Sequence, residues 1–273
     1  MKTNAPEPML TFYHEDLGLN IIRTNDNATV LGSDEHATDP ILILKNDRQA
    51  SDAPREAAGL YHFAILVPDR RSLATAYLTL GKRGVIFDGY ADHLVSEALY
   101  LTDPESNGIE IYADRSRSEW KMDDDGGAQM ATHPLDLDSL IKELPTTPND
   151  RQSAFSEGTR IGHVHLKVSD LQRSISFYRD VLGLDLMSYW ESAAFLSAGG
   201  YHHHIGMNTW ESLRGPPVNK AWSGMEYFTA TIGRDNFTEL SSRLADSPIA
   251  SGQGSDELYI SDPDNITIII RPS

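Results

Sequence analysis

Apolar and polar positions alternate through residues 161–168, IGHVHLKV, and after Asp170 the pattern widens into the spacing of LQRSISFYRDVLGLDL. A period of two predicts a strand. A period near 3.6, opened by an Asp and stopped at Gly183, predicts a capped amphipathic helix. Residues 60–86, LYHFAILVPDRRSLATAYLTLGKRGVI, repeat the order of strand, Asp and helix. In both stretches a histidine stands five residues before a Val and seven before an Asp: His62, Val67 and Asp69, then His163, Val168 and Asp170. One unit is used twice.

Two fainter copies complete the pattern. MLTFYHEDLGL at 9–19 matches SISFYRDVLGL at 174–184, so Phe12 corresponds to Phe177. Phe177 lies 14 residues after His163, and the same step back from Phe12 runs off the chain, so the first copy is expected to lack its opening strand. GMEYFTATIGRDNFTELSSRL at 224–244 reads as strand then helix, with Tyr227 at the histidine position. DPESNGIEIY at 103–112 and DPDNITIIIRP at 262–272 each join a turn signal to a β-branched, alternating strand. Four modules of one strand, one helix and further strands result, near 1–50, 58–114, 159–210 and 222–273. They form an N-terminal half, 1–114, and a C-terminal half, 159–273, joined by a charged linker at 115–158 in which PLDLDSLIKEL has the spacing of a short amphipathic helix.

Charge narrows the partners. The 273 residues carry 40 acidic and 23 basic side chains, a net charge of -17, with no Lys/Arg cluster. Such a surface repels phosphate backbones, so neither nucleic acid nor an anionic membrane is an expected partner, and a small molecule is. No apolar run is long enough to span a bilayer, and MKTNAPEP is not followed by a secretory apolar stretch, so a cytoplasmic protein is expected. With no cysteine in the chain, a metal ion would be held by His, Asp or Glu. Three of the ten histidines stand together in GGYHHHIG at 199–206, inside an apolar segment where no expression tag would sit.

The repeat resembles the vicinal oxygen chelate superfamily, which includes extradiol dioxygenases, glyoxalase I, fosfomycin resistance enzymes and bleomycin-binding proteins. GLYHFAILVPDR, DHLVSEALYLTDPESNGIEIYADR, IGHVHLKVSDL and FLSAGGYHHHIGMNTW are similar to the two-domain catechol 2,3-dioxygenase type. The resemblance implies an α+β fold in which four βαβββ modules pair into two open U-shaped barrels, here with the first strand of module one absent. It also implies a metal triad of His62, Glu110 and His163, which requires modules two and three to share a barrel. Modules one and four then form a metal-free barrel, with Tyr227 and Ile268 or Ile269 at the ligand positions.

The residues bear on this independently. Strand alternation puts His62 with Ala64 and Leu66, and His163 with His165 and Lys167. Glu110 is flanked by Ile109 and Ile111, as an inward carboxylate would be. Two histidines and one carboxylate form the facial set of Fe(II) oxygenases, with Mn(II) and Zn(II) as alternatives. By resemblance, His203 is the acid or base beside the substrate and Tyr100 a hydrogen-bonding partner of it. His93 is a further histidine at a spacing that departs from the longer dioxygenases. Alternation would turn His202 and His204 away from His203, and His165 reads equally as an inward group or as packing.

The expected function is extradiol cleavage of a catechol or hydroquinone-like aromatic with O2. The alternatives are a metal-dependent glyoxalase-like lyase or isomerase and a non-catalytic small-molecule-binding protein. A homo-oligomer stays open.

Overall fold

The computed structural model describes residues 1–34, 40–122, 127–144, 153–245, 247–254 and 256–273. Each repeat in the sequence is a module in the fold. Module one holds β1 (Lys2–Thr3), α1 (Pro6–Leu10, continued by a π-helical stretch at Thr11–Asp16), β2 (Asn20–Asn25), β3 (Ala28–Gly32) and β4 (Leu42–Asn46). Module two holds β5 (Gly59–Leu66), α2 (Arg70–Lys82), β6 (Gly89–Asp92), β7 (Ser96–Thr102) and β8 (Gly108–Asp114). The linker carries the short helix α3 (Leu137–Ile141), whose Leu140 is buried as its spacing predicts. Module three comprises β9 (Arg160–Lys167), α4 (Leu171–Ser176, with a π-helical stretch at Phe177–Val181), β10 (Asp185–Trp190), β11 (Ala193–Ser197) and β12 (Ile205–Asn208). Module four comprises β13 (Tyr227–Ile232), α5 (Arg234–Leu244), β14 (Ala250–Gly254), β15 (Glu257–Ser261) and β16 (Thr267–Pro272). No helix among the described residues is long and apolar enough to cross a membrane.

The two clear copies start their helices alike. Asp69 accepts the Ser72 N–H at 2.8 Å and Asp170 accepts the Arg173 N–H at 3.0 Å, each satisfying a donor that the helix itself leaves unpaired. The short strand-to-helix turn makes the chain double back, which packs Leu73, Ala76 and Leu80 of α2 into the core.

β5 and β9 pair antiparallel, so modules two and three merge into one eight-stranded sheet of order β10-β11-β12-β9-β5-β8-β7-β6. That is the pairing which a His62, Glu110 and His163 site requires, and it draws strands from both halves of the chain. Modules one and four remain two separate four-stranded sheets, β1-β4-β3-β2 and β13-β16-β15-β14. The opening strand of module one, expected to be absent, survives as the two residues of β1. They pair parallel to β4 as β5 pairs to β8. Asn4 and Ala5 alone separate β1 from α1, a turn about as short as the one that joins β5 to α2. A remnant this short cannot form the long antiparallel seam that joins β5 to β9, and Lys2 meets module four at a single bridge to Gly224.

Candidate metal centre and substrate cavity

Ala64 sits at the middle of β5, fully buried, with Glu110 of β8 as its register partner on one side and His163 of β9 on the other. Its methyl group leaves room for both larger side chains to lean over it. His62, two residues earlier on the same strand face, completes the group. His62 Nε2 lies 3.0 Å and His163 Nε2 3.2 Å from Glu110 Oε2, and the three ligand atoms all fall within 4.8 Å of one another. All three side chains are buried.

The electrostatics suit a cation. Burial pushes the His163 imidazole down to about 4, so it is neutral near pH 7 and its lone pair is available. Burial opposes the charge of Glu110, yet the adjacent His163 and His62 hold it well below the usual carboxylate range. His62 Nε2 is buried without a hydrogen bond, despite its nearness to Glu110. An orphaned ring nitrogen beside an anionic oxygen and a second ring nitrogen is a donor set that a divalent ion satisfies. These are the only residues among those described that gather three such ligand atoms. In module four, Tyr227 pairs with Thr267 as His62 pairs with Gly108, which puts Ile269 at the place of Glu110. That module has no ligand to offer there.

The triad opens into a cavity of about 480 Å³. Aromatic walls come from Tyr61, Trp190, Phe195 and Trp210, and the volume is in the range of small-molecule sites. A larger cavity of about 1010 Å³ lies by modules one and four, but no histidine is among the described residues that line it, so its size does not make it the chemical site.

Tyr100 of β7 is paired in register with Glu110 and lines the smaller cavity together with His93. His93 Nε2 is 2.7 Å from Tyr100 Oη, and its Nδ1 is 2.8 Å from the Ala131 carbonyl oxygen. The carbonyl can only accept, so Nδ1 carries the hydrogen and Nε2 accepts from the tyrosine hydroxyl. Burial, then the Glu110 charge, pushes the Tyr100 phenol well up, so it stays protonated.

His203 packs against His163 with ring centroids 4.1 Å apart and against Phe195 at 5.0 Å. The expectation that His202 turns away from it is corrected by the structure: both are buried and both line the cavity. Alternation does not apply, because β12 begins only at Ile205 and the triplet follows Gly199 and Gly200, both at positive φ (65° and 66°). His204 alone stands apart, its Nδ1 2.9 Å from Ser197 Oγ. His202 Nε2 approaches Asp114 Oδ1 at 3.0 Å and its Nδ1 approaches His203 Nδ1 at 2.9 Å. Asp114 is a partner that the sequence reading missed, although it stands on the Glu110 face of β8, four residues on. His165 is also buried and inward, 3.0 Å from Asn208 Nδ2. Met130, Ala131 and Thr132, within the linker, form part of the cavity wall, so the linker does more than connect the halves.

A sequence model of the Glyoxalase/Bleomycin resistance protein/Dioxygenase superfamily matches residues 2–111 and 160–269, both halves of the chain. The chain belongs to that superfamily. Among its relatives there, the catechol-2,3-dioxygenase of Bacillus subtilis is 43% identical over 229 residues, covering 83% of this chain and 78% of its own. In fold, the chain is similar to a Bacillus subtilis structure solved as a candidate dioxygenase, with a TM-score of 0.60 at 12% identity over 99% of this chain and 82% of that one. It is also similar to a glyoxalase I variant of Zea mays, with a TM-score of 0.54 at 16% identity over 99% and 91%. Those two likenesses speak to the superfamily fold alone.

Proposed function

We propose that this protein is an Fe(II)-dependent extradiol dioxygenase that opens a catechol-like ring with O2, its metal held by His62, Glu110 and His163. The observation that carries the reading is the buried set of two histidines and one glutamate, opening into an aromatic-walled cavity. It occurs in a chain 43% identical to a catechol-2,3-dioxygenase. A divalent iron bound there would supply charge stabilisation and open positions at which a diol and dioxygen meet.

The chain's own residues supply the rest. Asp114, as a carboxylate, accepts from His202 Nε2–H; His202 Nδ1 then accepts from His203 Nδ1–H. This leaves the His203 Nε2 lone pair in the cavity wall, and burial holds the imidazole well below its usual pKa and so unprotonated, free to take a proton from a substrate hydroxyl and return it later. Tyr100 spends its hydrogen on His93 and offers its oxygen lone pairs, which orients a second hydroxyl. The aromatic wall excludes water and stacks the ring.

The test is direct. Anaerobically purified protein loaded with Fe(II) and mixed with a panel of catechols in air should form yellow ring-opened products. Absence of product across the panel, with iron shown to be bound, overturns the reading.

A further inference from the structure

The strand that carries His163 continues inward-facing through His165 to Lys167, and all of this face borders the smaller cavity or the triad. Lys167 is the only Lys or Arg among the described residues that lines the cavity. Its Nζ donates to the Arg55 carbonyl oxygen at 3.1 Å, which occupies one of three ammonium hydrogens. No described carboxylate pairs with it. Glu211, the acid that shares this end of the cavity, is taken up by Arg55, whose Nε and Nη2 lie 3.0 Å and 2.6 Å from Glu211 Oε1. Glu56 stands outside the lining. At the rim of the cavity, an ammonium with two hydrogens left and no ion pair is placed to receive an anionic group.

We infer that Lys167 is a specificity residue that receives a carboxylate at the far end of the substrate, so that the preferred substrates are catechols bearing a short acidic side chain. The inference rests on the dioxygenase reading for the ring and on Lys167 itself for the acid. Four residues of strand put the Cα atoms of His163 and Lys167 about 13 Å apart. A dihydroxyphenyl ring held at the triad, extended by a two- or three-carbon acid, has the length to span that interval along the surface of the His165 and Trp210 rings, which pack on each other with centroids 5.7 Å apart. Elsewhere the chain opposes such a ligand, since a net charge of -17 repels anions at long range. Lys167 offsets that repulsion where the acid comes to rest. Burial lowers its pKa, with Glu211 and Glu56 acting to raise it and Arg55 to lower it, and an incoming carboxylate would restore the favoured charge.

The test compares two probes of one shape. With the Fe(II)-loaded full chain, kcat/KM is measured for 3-(3,4-dihydroxyphenyl)propionate and for its uncharged amide. A charge-assisted contact predicts an acid-to-amide ratio of about tenfold. The ratio should persist in Lys167→Arg, fall to near one in Lys167→Met or Lys167→Gln, and drop below one in Lys167→Glu. In parallel, 3-phenylpropionate and 3-phenylpropanamide, which have no ring hydroxyls, are titrated into the metal-free full chain by tryptophan fluorescence. Tighter binding of the acid should be lost in Lys167→Met. Equal turnover of both catechols, or a preference that survives Lys167→Met, overturns the inference and leaves the dioxygenase reading standing. No turnover of either, with Lys167-dependent binding of phenylpropionate, overturns the dioxygenase reading and leaves the acid site. Binding without a Lys167-dependent preference overturns the acid site.

Discussion

His202 and His203 share a hydrogen bond between their Nδ1 atoms at 2.9 Å, and this short link makes the histidine run a relay that begins at Asp114. His203→Ala should lower kcat by about 100-fold or more, the span of general acid–base catalysis, while bound metal per chain stays constant. Asp114→Asn keeps a carbonyl oxygen that can accept from His202 but removes the negative charge that favours the Nε2–H form of His202, and so weakens the preference for the His203 tautomer with a free Nε2. A loss on the order of tenfold in kcat is expected, with KM for catechol little changed. Equal activity of Asp114→Asn and the parent would break the relay.

Removal of one triad member should act first on the metal. His62→Ala deletes a ring nitrogen that has no hydrogen bond of its own in the protein. Iron affinity should fall by more than about 100-fold, beyond the 10- to 100-fold typical of groups that only support a ligand. Glu110→Gln keeps the shape but removes the negative charge between His62 and His163, and should behave alike. Elemental analysis of the purified variants checks both. Parent-level metal in either one would remove that residue from the set.

Much of this site was legible because two periodicities agreed. His62 and His163 share a module register, and Glu110 shows its inward face through Ile109 and Ile111. The pairing of β5 with β9 followed from requiring the two histidines to meet. Other features were not periodic. Asp114 reaches His202 across 88 positions, and only its parity with Glu110 on β8 pointed to it. The direction of His202 depended on two successive glycines at positive φ, which a strand pattern does not encode. β1 escaped notice because two residues cannot show an alternation.

Stability should depend on pH through the far end of the fold, where Tyr178 donates to Asp262 at 3.1 Å. Tyr13 and Asp103 make the same contact at 2.7 Å, so each odd module is tied to the next even one by a buried tyrosine. Burial, then the neighbouring Asp264 charge, pushes Asp262 up to about 7, against the lowering effect of backbone N–H groups of Ile266 and Asp264 and the Tyr178 hydroxyl. A carboxyl whose folded value exceeds its unfolded value near 4 binds its proton more tightly when folded. Its contribution is present in full below about pH 4 and is lost as pH rises to about 7. Asp262→Asn keeps a carbonyl for the two N–H groups and removes this dependence. Urea unfolding at about pH 5 and about pH 8 should show the variant gaining on the parent by on the order of 1–3 kcal/mol at the higher pH. A constant difference would place the titration elsewhere.

Gly108 tests how tightly the triad depends on strand spacing. It opens β8, two residues before Glu110, and is the register partner of His62. A Cβ added there would sit 2.4 Å from the Tyr61 carbonyl oxygen and 3.0 Å from the His62 Cβ, and the backbone oxygen has no rotamer with which to give way. Gly108→Ala must therefore push β8 away from β5 at the point where Glu110 and His62 face a common centre. Stability should fall by about 1–3 kcal/mol, as overpacking does, and iron affinity should fall with it. Gly89 provides the comparison, since a Cβ there meets nothing within 4 Å. Gly89→Ala should leave metal binding intact, and chemical denaturation together with metal analysis of the two variants separates a general glycine effect from displacement of the ligand strand.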